Sequence, residues 1–200
     1  MVDKLVLASA SPRRKQLLEQ IGVVFSTNIA DIDETPWEGE SPRHYVKRLA
    51  LEKANTVYHK LKQADSTVKA NKLWVLGSDT SVIVDDTILG KPENKEHGLQ
   101  MLAKLSGRQH RVLTSVALVG EIKHCIISES DVTFAKISPQ QINAYWETGE
   151  PADKAGGYAI QGKAAVFIEH IQGSFSGVMG LPLFETAELL RLEGLLPKVG

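Results

Sequence analysis

The sequence predicts a mixed α/β fold, because short apolar runs typical of buried strands alternate with longer stretches of helical periodicity. The runs at 5–8, 73–76 and 112–119 have the length and composition of buried strands. Apolar residues recur three or four positions apart at 17–21 and 45–57, as is typical of helices packed on a sheet. Strand and helix patterns intermix to the end of the chain, which indicates the α/β or α+β class.

In the first part of the chain, two helix starts carry the same signal. Ser11 suits the N-cap and Pro12 the first helical position after the first strand, and Gly22 is placed to end that helix. Ser41-Pro42 repeats the start signal before the second helix. The polar stretch from Gln63 to Asn71 is interpreted as a surface loop, not as a domain linker.

The remaining elements follow the same two patterns. A buried strand is predicted at Leu73–Leu76 that ends at Gly77-Ser78-Asp79-Thr80, and a second one at Ser81–Val84 that turns at Asp85-Asp86. Further strands are predicted at 112–119, 126–134 and 166–168. Further helices are predicted to start at Asn94, with Gly107 after its end, at the capping box Ser138-Pro139-Gln140-Gln141, and at Pro182.

The totals limit the classes of function. A chain of 200 residues can form one domain with two intimate lobes, spanning 1–200. The formal net charge of −1 gives no long-range attraction to DNA, RNA or a membrane, so an anionic substrate would need a few well-placed cations. The single cysteine, Cys125, excludes an intrachain disulfide framework and fits a reducing cytosol. Neither a long apolar run nor an apolar leader is present, so we expect a cytoplasmic protein.

The first candidate site is Ser9-Ala10-Ser11-Pro12-Arg13-Arg14-Lys15, where a predicted strand leads through a tight loop into a helix. A helix N-terminus offers unpaired N–H groups and partial positive charge to an anion. Two serine hydroxyls and two guanidinium groups add donors that suit phosphate oxygens. Three cations at this end of a helix oppose its dipole, which makes sense if an anion binds there. The alternative is a capped surface helix with solvated basic residues.

Two lysines outside that loop are further candidate anion ligands. Lys53 falls on the apolar stripe of the second helix, where an inward-pointing ammonium needs a negative partner. On spacing alone, the better interpretation is that its stem covers apolar surface while its amine reaches water. Lys91 lies in Gly90-Lys91-Pro92 after a strand, where a phosphate contact and a plain turn are equally well supported.

Acidic residues gather at two places. Asp31-Ile32-Asp33-Glu34 holds three carboxylates in four positions. Asp79 is expected just past a strand, where the loops of α/β proteins usually gather their ligands. Carboxylates with open positions suit Mg²⁺, which keeps waters and shares substrate phosphates. Each group taken alone is more often a solvated turn.

The segment Asp153–Gly162 is the last candidate. Its glycine pair, Gly156-Gly157, implies unusual backbone dihedrals or the close approach of a ligand. Gln161 carries a donor and an acceptor that can match the edge of a base. A simple turn at the entry to a strand is the alternative. No Walker loop and no Gly-x-Gly-x-x-Gly motif is present.

Taken together, these motifs resemble the Maf family of nucleotide pyrophosphatases, once described as septum-formation inhibitors. The resemblance runs from Leu5 to about Leu190, and the motifs keep the family's order. They are Ser9-Ala10-Ser11-Pro12-Arg13-Arg14, Asp33-Glu34, Glu52-Lys53-Ala54, Gly77-Ser78-Asp79-Thr80, Gly90-Lys91-Pro92, Lys154-Ala155-Gly156 and Gly180-Leu181-Pro182. One such motif would be weak, whereas the full series at the right spacing is specific.

The resemblance implies a Maf-like and ITPase-like fold, with two lobes around a central mixed sheet, a deep substrate cleft and often a homodimer. It implies hydrolysis of a nucleoside triphosphate to monophosphate and diphosphate with Mg²⁺ or Mn²⁺. The family's general base matches Asp79, its metal-linked glutamate matches Glu34, and its phosphate-binding lysines match Lys53 and Lys91. The metal ligands implied are Glu34 and Asp79, and the substrate-binding residues implied are Ser9, Ser11, Arg13, Arg14, Thr80 and Gln161.

The resemblance also points to one branch of the family. The branch that cleaves dTTP and UTP carries arginine, threonine and glutamine at three specificity positions, which match Arg13, Thr80 and Gln161. The branch that acts on 7-methyl-GTP typically has tryptophan, glutamine and glutamate there. Two alternatives stay open: a non-catalytic nucleotide-binding regulator of septum formation, and a pyrophosphatase of purine nucleotides.

Overall fold

A computed structural model describes residues 4–64 and 73–196 and has the mixed α/β architecture that the sequence predicts. Its strands are β1 (Lys4–Leu7), β2 (Ser26–Thr27), β3 (Leu73–Val84), β4 (Thr87–Leu89), β5 (Gln109–Val119), β6 (Lys123–Phe134) and β7 (Ile168–Gln172). Its α-helices are α1 (Pro12–Gln20), α2 (Pro42–Ala64), α3 (Lys95–Leu105), α4 (Pro139–Trp146), α5 (Phe175–Met179) and α6 (Leu183–Leu192). Short 3-10 turns lie at Glu150–Asp153, Ala155–Gly157 and Lys163–Phe167.

All seven strands belong to one mixed sheet. The order is β2-β1-β3-β5-β6-β7, and β4 pairs with β3 beside this path. β1 runs parallel to β2 and β3, whereas the pairs of β3 with β4 and β5, and of β6 with β5 and β7, are antiparallel. β3 therefore joins the parallel part of the sheet to the antiparallel part.

The side chains of β3 alternate between two differently packed faces, as the period of a strand requires. On one face, Leu73 and Val75 pack against α2. On the other face, the first half of β3 packs against α1 and α6, and its second half packs against α3 and α4. Ser78 and Thr80 separate these two apolar clusters in the middle of the strand. This interruption leaves a polar gap at the centre of the sheet.

The predicted break in β3 is wrong. Instead of strands at 73–76 and 81–84 with a loop between them, β3 is continuous over twelve residues. The reason is its neighbour β5, which pairs with it without interruption from Val75 to Ile83. Asp79 therefore lies in the middle of a strand and not just past a strand end. The structure excludes the solvated-turn interpretation for Asp79, which is buried.

Most predicted helix boundaries are confirmed. The hydroxyls of Ser11 and Ser138 and the amide oxygen of Asn94 accept from backbone N–H groups as N-caps. The tight turn at Asp85-Asp86 is also confirmed, since both residues have positive φ. The strand predicted at 166–168 is wrong because a 3-10 turn runs to Phe167 before β7 begins.

The end of α2 and the two short elements β2 and α5 differ from the sequence predictions. Gln63 and Ala64 belong to the last turn of α2, and the rest of the loop predicted at 63–71 lies outside the described residues. The short elements β2 and α5 were not predicted. Among the described residues, no helix combines the length and apolar character needed to cross a membrane.

Gly77 permits the close packing of α2 on β3, and this gives a stability prediction. A Cβ at this position would collide with the Ala50 carbonyl oxygen of α2. We expect Gly77→Ala to lower the free energy of unfolding by about 1–3 kcal/mol, because overpacking forces the two elements apart. Urea unfolding measures the change. In the control Gly90→Ala, the added Cβ meets nothing within 4 Å. Equal stabilities of the Gly77→Ala variant and the wild type would contradict this packing.

Candidate active site

A cavity of about 600 Å³ opens at the polar gap in the middle of β3. It is bounded by the start of α1, by α2, by the loop after β4 and by the turns near Asp153. All ten site residues expected from the sequence line this cavity: Ser9, Ser11, Arg13, Arg14, Glu34, Lys53, Asp79, Thr80, Lys91 and Gln161. The fold thus brings together residues from six separate segments of the chain.

Arg14 turns inward from the first turn of α1. Its Nε donates to the Gly180 carbonyl oxygen at 2.7 Å, and its terminal nitrogens donate to Ser9 Oγ at 3.4 Å and Thr80 Oγ1 at 3.2 Å. Burial lowers the pKa of the Arg14 guanidinium, and the nearby carboxylate of Asp79 partly offsets this effect. A partly buried guanidinium that lines the cavity and has three of its five N–H donors engaged is suited to an anion.

The two cations beside Arg14 differ in position, because Arg13 lines the cavity and Lys15 is exposed to solvent. Arg13 Nε donates to the Met179 carbonyl oxygen at 3.4 Å, and partial burial lowers its pKa. The interpretation of this loop as a solvated surface helix is therefore wrong for Arg13 and Arg14. It is right for Lys15, which is exposed and lies 3.8 Å from Glu19. Two of the three cations at this helix start face the cavity.

Lys53 is buried on the side of the cavity opposite α1. Its Nζ lies 2.7 Å from Asp79 Oδ1 and 2.8 Å from Glu34 Oε1. Only 8% of the residue is exposed, so the interpretation of Lys53 as a side chain that reaches out to water is wrong. A buried ammonium needs such partners, because an unpaired buried charge is strongly destabilising.

Asp79 is the buried carboxylate of this group. Burial raises its pKa, and the positive charges of Lys53 and Arg14 act in the opposite direction. Glu34 shares the same ammonium, but its side chain is 52% exposed and faces the open cavity. One carboxylate is therefore held rigidly in the sheet, while the other remains accessible from solvent.

The loop that carries Glu34 is fixed to α2 by a clasp that the sequence did not indicate. Arg48 donates to both carboxylate oxygens of Glu40 at 2.7 Å and to the Thr35 carbonyl oxygen at 3.1 Å. Its guanidinium lies 4.2 Å from the centre of the Trp37 ring. Glu40 and Arg48 lie on opposite sides of a loop-to-helix junction, where no periodic pattern connects them.

Tyr45 gives the same loop a second anchor. Its hydroxyl donates to the Glu34 carbonyl oxygen at 2.9 Å. Within the acidic cluster, Asp33 accepts from the backbone and hydroxyl of Thr35 at 2.9 and 2.6 Å. The local-turn interpretation is therefore right for Asp33, whereas Glu34 joins the cavity.

Lys91 and Gln161 line the cavity from two further segments, and these segments contact each other. Gly156 N donates to the Gly90 carbonyl oxygen at 3.0 Å, which joins the loop after β4 to the glycine pair. Gly156 and Gly157 both have positive φ, as the sequence predicted. Lys154 also lines the cavity, and its ammonium pairs with Asp153. It was not among the expected ligands, although it stands in the motif Lys154-Ala155-Gly156.

The carboxylates allow a simple test of fit for a divalent cation. Across residues 4–64 and 73–196, no three His, Cys, Asp or Glu side chains converge into a metal cage. Glu34 and Asp79 do converge, on a single ammonium. Mg²⁺ commonly takes one or two protein carboxylates and completes its shell with water and substrate phosphates. The pair fits such a shared site and does not fit a site built from protein ligands alone.

The chain is similar over most of its length to proteins of one family. Residues 4–193 match the family model described as "Maf-like protein". A dTTP/UTP pyrophosphatase of Alkalilimnicola ehrlichii is 53% identical over 93% of this chain and 91% of its own. Proteins of the same name from Pseudoalteromonas atlantica and Colwellia psychrerythraea are each 50% identical, over 93% and 96% of this chain and 95% and 89% of their own.

A solved structure matches less closely. The nucleoside-triphosphatase and dITP/XTP pyrophosphatase of Mycobacterium abscessus covers 67% of this chain and 74% of its own, with a TM-score of 0.39 and 19% identity. The mixed α/β class therefore rests on the strands and helices of this chain itself.

The clasp predicts how stability depends on pH. Hydrogen bonds from Arg48 are the main reason that the pKa of Glu40 is lowered to about 2 from its ordinary value of 4.5. A lowered carboxyl pKa contributes stability above the ordinary pKa, and that stability is lost as the pH falls through the folded value. We expect Glu40→Gln to cost about 2 kcal/mol near neutral pH, because a charge-assisted contact is weakened.

The cost of Glu40→Gln should shrink between about pH 4.5 and about pH 2. Urea unfolding of both proteins across this range measures it. Glu121→Gln is the matched control, because the Glu121 side chain is 82% exposed and pairs only with Lys62 among the described residues. A difference between wild type and Glu40→Gln that stays constant down to about pH 2 would show that the charge of Glu40 does not stabilise the fold.

Proposed function

This chain belongs to the Maf-like protein family, and we propose that it hydrolyses dTTP and UTP to the nucleoside monophosphate and diphosphate. Three of the relatives that it matches over most of their length carry the name of that activity. One structural observation carries the proposal: cations from α1 face the carboxylates of Asp79 and Glu34 across a single cavity. A triphosphate can span such a cavity.

The charges on the cavity walls support a triphosphate. Arg13, Arg14, Lys53 and Lys91 are the proposed phosphate ligands, and Ser9 and Ser11 add hydroxyls beside the N-terminus of α1. Lys53 also pairs with two carboxylates, whereas Arg13, Arg14 and Lys91 form no ion pair among the described residues. Such charge-assisted hydrogen bonds are stronger than neutral ones.

Asp79 is the proposed general base. It deprotonates a water molecule that attacks the α-phosphorus, the bond between the α-phosphorus and the bridging oxygen breaks, and diphosphate leaves with that oxygen. Burial raises the pKa of this carboxyl, which makes it a better proton acceptor than an exposed aspartate. Lys53, at 2.7 Å, fixes its orientation. Most of the rate enhancement then comes from positioning and from cations that stabilise the charge on diphosphate.

Glu34 and Asp79 would also hold the divalent cation, Mg²⁺ or Mn²⁺. Such an ion neutralises phosphate charge and favours attack at phosphorus. Glu34 suits this role because its carboxylate faces the open cavity while Tyr45 holds its backbone. Two carboxylates and a triphosphate together provide the oxygen ligands that either ion prefers.

Specificity for pyrimidines is the most detailed part of the proposal. Gln161 would pair with a carbonyl and the ring N–H of thymine or uracil, because its amide carries both a donor and an acceptor. Arg13 and Thr80 complete the proposed specificity set. All three line the same cavity. A homodimer, as the family resemblance implies, and a location in the cytoplasm, as the sequence predicts, are also part of the proposal.

Product analysis tests the proposed activity directly. Incubation with dTTP, UTP, CTP, dATP and GTP, with and without Mg²⁺, should release monophosphate and diphosphate in equal amounts. We expect the release to be fastest from dTTP and UTP and to need the metal ion. Purine triphosphates as the best substrates would favour the purine alternative. Binding of dTTP without any release of diphosphate would favour a nucleotide sensor.

The role of Asp79 gives a prediction about rate. Asp79→Asn keeps the shape of the side chain but removes the base, so we expect the kcat for dTTP to fall by about 100-fold or more. Asp86→Asn is the matched control, because Asp86 lies in the turn after β3 with 88% of its side chain exposed. Near-normal turnover by Asp79→Asn would rule out Asp79 as the base.

The role of Gln161 gives a prediction about selectivity. In Gln161→Ala, we expect the preference for UTP over CTP to fall by about tenfold, since base pairing is lost but the phosphate ligands remain. The ratio of the two kcat/KM values measures this preference. A variant that keeps the full preference would remove Gln161 from base recognition.

A further inference from the structure

Four groups form a continuous row of hydrogen bonds that leads from the wall of the cavity into the interior. Arg14 Nη2 lies 3.2 Å from Thr80 Oγ1, and that oxygen lies 3.0 Å from Thr114 Oγ1. Thr114 Oγ1 lies 2.7 Å from the Gly177 carbonyl oxygen in α5. Thr80 and Thr114 are direct cross-strand partners on β3 and β5, so the sheet register itself sets their contact.

The chemistry of the two ends fixes which groups donate there. A guanidinium can only donate and a carbonyl can only accept. The Thr114 hydroxyl therefore donates to Gly177, at the shorter of its two acceptor distances. Thr80 Oγ1 accepts from Arg14 and is the second acceptor within reach of the Thr114 hydroxyl. The row therefore joins Arg14 to Gly177 through the oxygens of Thr80 and Thr114.

This row assigns Thr80 a task. Its oxygen accepts from Arg14 on one side and lies against the Thr114 hydroxyl on the other, so it can hold the guanidinium in place. Three of the five N–H donors of Arg14 are engaged by Gly180, Ser9 and Thr80, which leaves two for a ligand. The three hydrogen bonds already made orient the guanidinium, and they therefore set the direction in which its two remaining N–H groups point.

We propose that Thr114 is a positioning residue that acts through Thr80 to hold Arg14 in its phosphate-binding orientation. Thr114 cannot touch the substrate itself, since it is 1% exposed and does not line the cavity. This inference rests on the proposed function only in taking the ligand of Arg14 to be a triphosphate.

A second route from Thr114 to the cavity has to be separated from the first. Gly177 belongs to α5, and its neighbours Val178 and Met179 line the cavity. Loss of the Thr114 hydroxyl could therefore act by moving α5, without any part for Thr80. The two routes differ in whether the effect of Thr114 requires the hydroxyl of Thr80.

A double-mutant cycle with inorganic tripolyphosphate as the probe separates the two routes. The dissociation constant is measured by titration calorimetry for the wild type, Thr114→Val, Thr80→Val and the double variant. Valine keeps the shape of threonine and removes only the hydrogen bonds. Thr114→Ser is the rescue variant, because it restores the hydroxyl. Thr186→Val is the matched control, because the buried Thr186 hydroxyl has no hydrogen-bond partner among the described residues.

We expect Thr114→Val to weaken tripolyphosphate binding and to lower kcat/KM for dTTP by about tenfold, with Thr114→Ser near the wild type. In the Thr80→Val background, Thr114→Val should add less than about twofold, because the row is already broken. Equal effects of Thr114→Val in both backgrounds would assign its role to α5 and overturn the proposal. So would unchanged binding in a folded Thr114→Val variant.

If Thr114→Val does not fold, Thr114→Ala takes its place in the cycle with the same expected outcomes. A wild type that binds tripolyphosphate but releases no diphosphate from dTTP would refute the proposed function. The cycle would still decide whether Thr114 positions Arg14. Failure of the activity and failure of the positioning role are therefore distinguishable.

Discussion

The buried ammonium of Lys53, held between Asp79 and Glu34, is the interaction on which the site depends. Lys53 lies on α2 and Asp79 in the middle of β3, so their 2.7 Å contact requires the helix to lie close against the strand. Gly77 permits this approach, since a side chain there would collide with the helix backbone. Glu34 completes the pair because Arg48 and Tyr45 fix its loop to the same helix. The ion pairs of this one buried ammonium thus require α2, β3 and the loop that carries Glu34 to lie close together.

The opposite face of β3 supplies the second half of the site. Apolar packing on that face stops at Ser78 and Thr80, and Arg14 enters the gap between the two clusters. The Gly180 carbonyl oxygen accepts from both Arg14 and Ser78, which anchors the segment after α5 to the sheet. The same strand therefore presents a carboxylate on one face and orients a guanidinium on the other. In the proposed mechanism, this juxtaposition allows one triphosphate to contact both the Arg14 guanidinium and the proposed base.

The sequence predicts the parts of this structure that depend on local signals. Helix caps such as Ser11 and Ser138 are recognisable because capping involves residues only three positions apart. The inward direction of Lys53 follows from helical spacing, but its burial does not, because its partners lie on other elements. Asp79 was misplaced at a strand end because the polar run Gly77-Ser78-Asp79-Thr80 resembles a loop, while pairing with β5 keeps it extended.

Contacts between residues that are far apart in the sequence have no local sequence signal of this kind. Thr80 and Thr114 become neighbours only through the register of two antiparallel strands.

The most direct test of the account is a crystal structure with Mn²⁺ and the α,β-imido analogue of dUTP, in which anomalous scattering locates the metal. The account predicts Mn²⁺ beside Glu34 and Asp79, with the α-phosphorus next to Asp79 and the phosphates in contact with Arg14 and Lys53. A triphosphate bound away from the Lys53 carboxylate pair, or Mn²⁺ bound elsewhere, would contradict it.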